Sequence, residues 1–256
     1  MKKLILRILI FLSVFGGGSI ATYHSGLFSH TDDRDISHIR INIDPGHGPI
    51  FNGEYLTPGK HSPKWQDSTK LYEGHSIRDI AYRLYVELLN LQLDAEIIAP
   101  ELEDVSLRER VIRNNARYYK DKRTIYLSCH HNAQANNGTA DYIDNEGYHG
   151  WTSTSTGGAS HIIVFTSVGY TKSDIIADYI AKELKLLFDI PVYTREANFY
   201  VLKYTHSPAV LLEFGFMTTY DPDYLIMTNP VQRQKFIIGV ARGLKNYNNY
   251  LNNIVL

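Results

Sequence analysis

The run Ile39-Arg40-Ile41-Asn42-Ile43-Asp44-Pro45-Gly46-His47-Gly48 alternates apolar and polar residues, then stops in a turn made of proline and two glycines. Alternation with period two predicts a strand, and the turn delivers His47 to its carboxyl end. Two later stretches end in the same way. Residues 124–127 run into Ser128-Cys129-His130-His131-Asn132, and residues 209–212 run into Glu213-Phe214-Gly215-Phe216. Ligands of α/β sheets collect outside the carboxyl ends of the strands, so histidines and a glutamate at three such ends are expected to meet.

Outward from these strands, helix-like and strand-like patterns alternate. Ile77, Ile80, Ala81, Leu84, Leu88 and Leu91 fall at helical spacing, which places Glu73 at a helix start. A short strand is expected over residues 94–98. Ser106 and Glu109 have capping-box spacing and open a helix to about Tyr119. A strand over 161–166, a helix over 173–188 and a short strand over 191–194 follow, and Asn229-Pro230 opens a last helix to about Tyr247. The expected fold is a single α/β domain, with a mixed, mostly parallel sheet flanked by helices on both faces. Residues 49–72 read as a long loop insertion. Residues 134–160, rich in Gly, Ser, Thr and Asn, read as a surface loop or frayed hairpin beside the site.

The chain has 256 residues, 44% of them hydrophobic, enough for one ordinary core. A formal net charge of -1 without a basic block argues against a nucleic-acid partner. Met1-Lys2-Lys3, an apolar stretch broken only by Arg7 and Ser13, and the small residues 16–21 have the layout of a secretory leader. Residues 1–21 are therefore expected to be a signal peptide or N-terminal anchor, 22–37 a linker and 38–256 the domain. That predicts export to the periplasm, cell envelope or exterior, with no membrane contact beyond the leader, and a monomer is expected. Cys129, the single cysteine, rules out an intrachain disulfide and reads as a packed strand residue.

Each site candidate has an ordinary reading beside the functional one. A lone histidine at a strand end is usually a hydrogen-bonded structural residue. His130 and His131 point to opposite faces, so only one of them is expected to bind metal. Acids suit helix starts, which accounts for Glu73 without chemistry. Glu213 is harder to dismiss, because a carboxylate closing a wholly apolar run needs a partner, a metal or a catalytic role. Two imidazoles and one carboxylate form a catalytic zinc set that leaves one position for water, and a fourth acid beside it suits a general base.

Asp44-Pro45-Gly46-His47-Gly48, Glu73 with Ile80-Ala81, Ser106-Leu107 with Arg110 and Asn115, Ser128 to Ala133, and Pro208 to Phe216 together resemble the zinc-dependent N-acetylmuramoyl-L-alanine amidases. The resemblance covers residues 39–250. It implies one zinc ion held by His47, Glu73 and His130, with Glu213 as the catalytic carboxylate; Glu54 is the alternative ligand in place of Glu73. It also implies hydrolysis of the amide between N-acetylmuramic acid and L-alanine, with peptidoglycan or its fragments as substrate. Arg195 and Asn132 are candidate substrate-binding residues, and Trp151 and Tyr200 candidate sugar-stacking ones. No helix plugging the cleft is expected from 134–160. The competing readings are a zinc peptidase cutting a stem-peptide bond and a non-catalytic peptidoglycan-binding domain of the same fold.

Overall fold

The computed structural model describes residues 38–52, 54–55, 60–65, 67–133, 142–143, 149–150, 159–169 and 171–254. The leader, the linker, Trp151 and most of residues 134–160 lie outside this set. Strand β1 (Arg40–Pro45) is followed by a two-residue ribbon, β2 (Ile50–Phe51) with β3 (Glu54–Tyr55), and then helix α1 (Glu73–Asn90). Next come β4 (Asp94–Ile97), α2 (Leu107–Lys120), β5 (Thr124–Asn132) and a second short ribbon, β6 (Tyr142–Ile143) with β7 (His149–Gly150). The chain continues through β8 (Ile162–Thr166), α3 (Lys172–Leu187), β9 (Val192–Glu196), α4 (Tyr200–Tyr204) and β10 (Ala209–Phe216). A π-type turn at Tyr220–Tyr224, α5 (Leu225–Thr228) and α6 (Pro230–Ile254) close it.

Six strands form one sheet in the order β4-β1-β5-β10-β8-β9. The first four are parallel, β8 runs antiparallel to β10, and β9 is parallel to β8. The carboxyl ends of β1, β5 and β10 therefore lie side by side, as the three polar strand ends predicted. One face carries the larger core. There Ile41, Ile43, Leu127, Val210 and Leu212 meet Ile77 and Leu84 of α1, Ile176 and Ile180 of α3, and Phe236 and Val240 of α6. On the other face Tyr126, Ala209 and Leu211 pack with Val111 of α2 and Val201 and Leu202 of α4. Helices on both faces leave the strands almost no water contact, which is why residues 209–212 are wholly apolar.

Several boundaries differ from the sequence expectation. β5 and β10 extend beyond 129 and 212, because Glu213 pairs with His130 and Phe216 with Asn132 after a register shift. The polar residues thus sit within the last rungs of the ladder, where backbone pairing fixes their direction, and only His47 lies in a turn. α6 continues past Tyr247, because Tyr247 and Asn248 stay buried and the Asn248 side chain accepts the Ile39 amide at 2.9 Å. The capping box at α2 is half formed. Ser106 accepts the Glu109 amide at 3.2 Å, but the Glu109 carboxylate turns to Arg113 at 2.9 Å. The described part of residues 49–72 is more ordered than a bare loop: besides the β2–β3 ribbon, His61 bridges Tyr72, and Ser62 donates its amide to the Leu71 carbonyl at 2.8 Å.

Candidate active site

His47 follows β1 in a left-handed backbone conformation, φ 61°, unusual for a residue with a side chain. The sequence suggested that Gly46 and Gly48 supply the turn's freedom; instead His47 itself adopts the strained angle, and such strain collects at functional sites. Gly46 is required for space, since a Cβ there would overlap the imidazole of His130. Gly74 has a similar task at the start of α1, where a Cβ would run into the carbonyl of Gly48. The two glycines let the β1 turn, the end of β5 and the first turn of α1 close on one point.

His47 Nε2 lies 3.4 Å from Glu73 Oε1, and His130 Nδ1 lies 3.1 Å from the same oxygen. The two imidazoles stand edge to face with centroids 5.0 Å apart. One donor atom from each of His47, Glu73 and His130 can be chosen so that all three lie within 4.8 Å of one another, close enough to share a metal ion. Glu73 is buried, and burial alone would raise its pKa. The charge of His47 and the hydrogen bonds from His130 and His47 outweigh that effect and hold the carboxyl far below its ordinary value. Glu54, the alternative acid, belongs to the β2–β3 ribbon.

Glu213 stands on β10 directly opposite His130 of β5, so both side chains rise from one face of the sheet at the same level. Burial, and then the neighbouring charge of Glu73, push its pKa well above the usual carboxylate range, with Lys60 opposing. Its Oε2 is buried without a hydrogen-bond partner, an arrangement that is costly unless a ligand or reacting group occupies the space. Asp223 fixes the bend that follows. It accepts the Phe216 amide at 2.7 Å beside Gly215, whose φ is 75°.

His131 points to the opposite face, away from the cluster, and its role was not legible in the sequence. Its Nδ1 is 3.0 Å from the Phe214 carbonyl, which can only accept, so Nε2 takes the Ser76 hydroxyl proton at 2.9 Å. Its backbone amide donates to Glu73 Oε1 at 3.0 Å. His131 thus ties β5, β10 and α1 together as a neutral ring. Burial lowers its pKa from 6.5 to about 4. A depressed folded-state pKa means that the unfolded chain takes up the proton first. The stabilisation is therefore complete above about pH 6.5 and is lost as pH falls towards 4, amounting to about 3 kcal/mol. Urea unfolding of the metal-free protein at pH 7 and near pH 4.5 should show this loss, and His131→Gln should flatten it; an equal loss in the variant would assign it elsewhere.

Cys129 is buried among core residues, and burial pushes its thiol up, away from the reactive thiolate. Asn132 bonds its own neighbourhood, its side chain accepting the Ala133 amide at 2.8 Å. Arg195 lies on the edge strand β9 with its guanidinium 5.1 Å from the Tyr193 ring centre, and among the described residues it forms no ion pair. Tyr193 meets His161 edge to face at 5.1 Å, and His161 meets Phe216 at 4.7 Å, forming an aromatic row beside Glu213. Tyr200 is exposed against Tyr204 on α4.

The family model described as N-acetylmuramoyl-L-alanine amidase matches residues 41–246. Among solved structures the chain is similar to an N-acetylmuramoyl-L-alanine amidase from Clostridium difficile 630, at 24% identity and TM-score 0.60, covering 82% of this chain and 97% of that one. It is also similar to amidase AmiC2 of Nostoc punctiforme, at 22% identity and TM-score 0.58, covering 82% and 96%. An N-acetylmuramyl-L-alanine amidase from Mycobacterium smegmatis shares 18% identity and TM-score 0.58 over 84% and 99%. These likenesses show the fold. No curated protein matches the chain.

Proposed function

The chain belongs to the N-acetylmuramoyl-L-alanine amidase family, and from that membership we propose that it is a zinc-dependent hydrolase of peptidoglycan. Its reaction is cleavage of the amide between the lactyl group of N-acetylmuramic acid and the L-alanine of the stem peptide. One observation carries the reading: His47, Glu73 and His130 converge, with Glu213, whose buried Oε2 has no hydrogen-bond partner, alongside. Two imidazoles and a carboxylate are a donor set that suits zinc and leaves room for water.

Bound there, zinc would polarise the scissile carbonyl and make water more acidic. Glu213 accepts the proton of the attacking water and passes it to the departing alanine nitrogen. The substrate lies outside the cytoplasm, which agrees with residues 1–21 acting as an export leader. Among the described residues no helix is long and apolar enough to cross a membrane.

Digestion of purified sacculi by the zinc-loaded protein, read by mass spectrometry, tests the assignment. Intact stem peptides with a free L-alanine amine are expected, with turnover abolished by a chelator and restored by zinc. Cuts within the stem peptide would instead identify a peptidase, and the absence of any product would favour the binding-only reading.

Arg195 and the row of Tyr193, His161 and Phe216 support a binding role for this edge of the sheet, with the guanidinium taking a stem-peptide carboxylate. A hydrogen bond to a charged group is worth about 1.5–3 kcal/mol. Arg195→Ala is therefore expected to raise KM for a muramyl peptide by about tenfold or more, with kcat within a factor of about two. An unchanged KM would remove Arg195 from the site.

A further inference from the structure

The two ring nitrogens of His130 face different surroundings. Nδ1 looks into the cluster, 3.1 Å from Glu73 Oε1, and Nε2 looks back into the sheet, 3.1 Å from Ser128 Oγ. Ser128 in turn donates to Asp44 Oδ2 at 3.1 Å. The same carboxylate receives the Tyr126 hydroxyl on Oδ2 and the Arg110 guanidinium on Oδ1, and Arg110 also bonds the Pro45 carbonyl at 2.7 Å. Asp44, Arg110, Tyr126 and Ser128 are all buried. Residues 126, 128 and 130 share a face of β5, and Asp44 is the register partner of Ser128 on β1.

A hydroxyl has one proton to give. Asp44, ion-paired with Arg110, accepts from all of its neighbours, so the Ser128 proton goes to Asp44. Only lone pairs on Ser128 remain for His130. The ring nitrogen facing Ser128 must then be the N–H, and it is Nδ1 that gives up its hydrogen bond to Glu73 and offers a lone pair when a metal occupies the cluster. Metal-binding histidines usually donate their second N–H directly to a carboxylate or carbonyl, which fixes the tautomer and the ring orientation. Here a serine is interposed between the two.

We propose that Ser128 and Asp44 are positioning residues, which hold the His130 proton on Nε2 and so present Nδ1 as the metal donor. The inference rests on the zinc reading above and deepens it by naming the donor atom and what selects it. Arg110 and Tyr126 hold Asp44 in place, and neither reaches the cluster.

Nitrogen-15 histidine spectra of the intact zinc-loaded chain provide a direct test. The expected result is His130 coordinated through Nδ1, with a hydrogen-bonded proton on Nε2; coordination through Nε2 overturns the inference. In zinc competition with a chromophoric chelator, Ser128→Ala should lose about 10–100-fold in affinity. Ser128→Thr, which keeps the hydroxyl, should stay within about threefold of the parent. A thermal midpoint of metal-free Ser128→Ala close to the parent's separates this loss from a loss of fold. Affinity of Ser128→Ala within threefold of the parent overturns the inference, and if that variant does not fold, the spectra of the parent decide. A parent that binds no zinc overturns the zinc reading and this inference with it. One that binds zinc through Nε2 overturns the inference alone.

Discussion

Glu213→Gln is expected to bind zinc as the parent does and to lose hydrolysis of muramyl peptides by about two to four orders of magnitude, the usual worth of a positioned general base. Glutamine keeps the shape of the side chain but cannot take a proton from water. The metal donors come from β1, α1 and β5, while Glu213 comes from β10, so zinc content should not follow activity. A second effect has the opposite sign. In the metal-free protein burial and the charge of Glu73 raise the Glu213 pKa. A raised folded-state pKa contributes stability that is full below the unfolded value and is lost as pH rises. At neutral pH the buried carboxyl is therefore a burden, and metal-free Glu213→Gln should melt at a higher temperature than the parent. Stability gained with activity lost is the pattern of an active-site group held in an unfavourable place. Retained turnover would assign the base elsewhere.

Arg110→Leu is expected to cost about 3–5 kcal/mol of folding stability, because it leaves the Asp44 carboxylate buried and unpaired. The side chains of the pair are only 3% and 2% exposed, so water cannot replace the guanidinium. The Asp44 charge outweighs the burial that would lower the Arg110 pKa and raises it instead, so the arginine cannot escape the pairing by losing its proton. Surface pairs such as Arg123–Asp121 should cost far less on truncation. Urea unfolding of the metal-free proteins measures the difference, and a loss below about 1 kcal/mol would mean that solvent reaches Asp44.

The strand ends were legible because their signals are local. Alternation over residues 39–43 and the apolar run at 209–212 mark two strands of the same sheet, and the helix spacing after Glu73 fixes where α1 begins. Which histidine joins the cluster followed from strand alternation together with the family motif. The strain at His47 was not legible, since glycines on both sides made the turn look effortless. Nor was the pairing of Asp44 with Arg110 and Ser128, which lie 66 and 84 positions away in sequence. No periodicity encodes such contacts; they exist only once β1, β5 and α2 have packed. The role of His131 was hidden for the same reason, because its partners sit on α1 and β10.

The approach of Gly74 to the carbonyl of Gly48 makes residues 49–72 an excursion that leaves and returns at the same place. The Glu73 amide bonded to the Lys60 carbonyl at 2.9 Å draws its second half shut as well. The length of such a detour is uncoupled from the distance between the two ligands it separates, and lengthening or trimming a closed loop changes its entropy only slowly. This stretch is therefore where the chain can be lengthened or trimmed while His47 and Glu73 keep their separation.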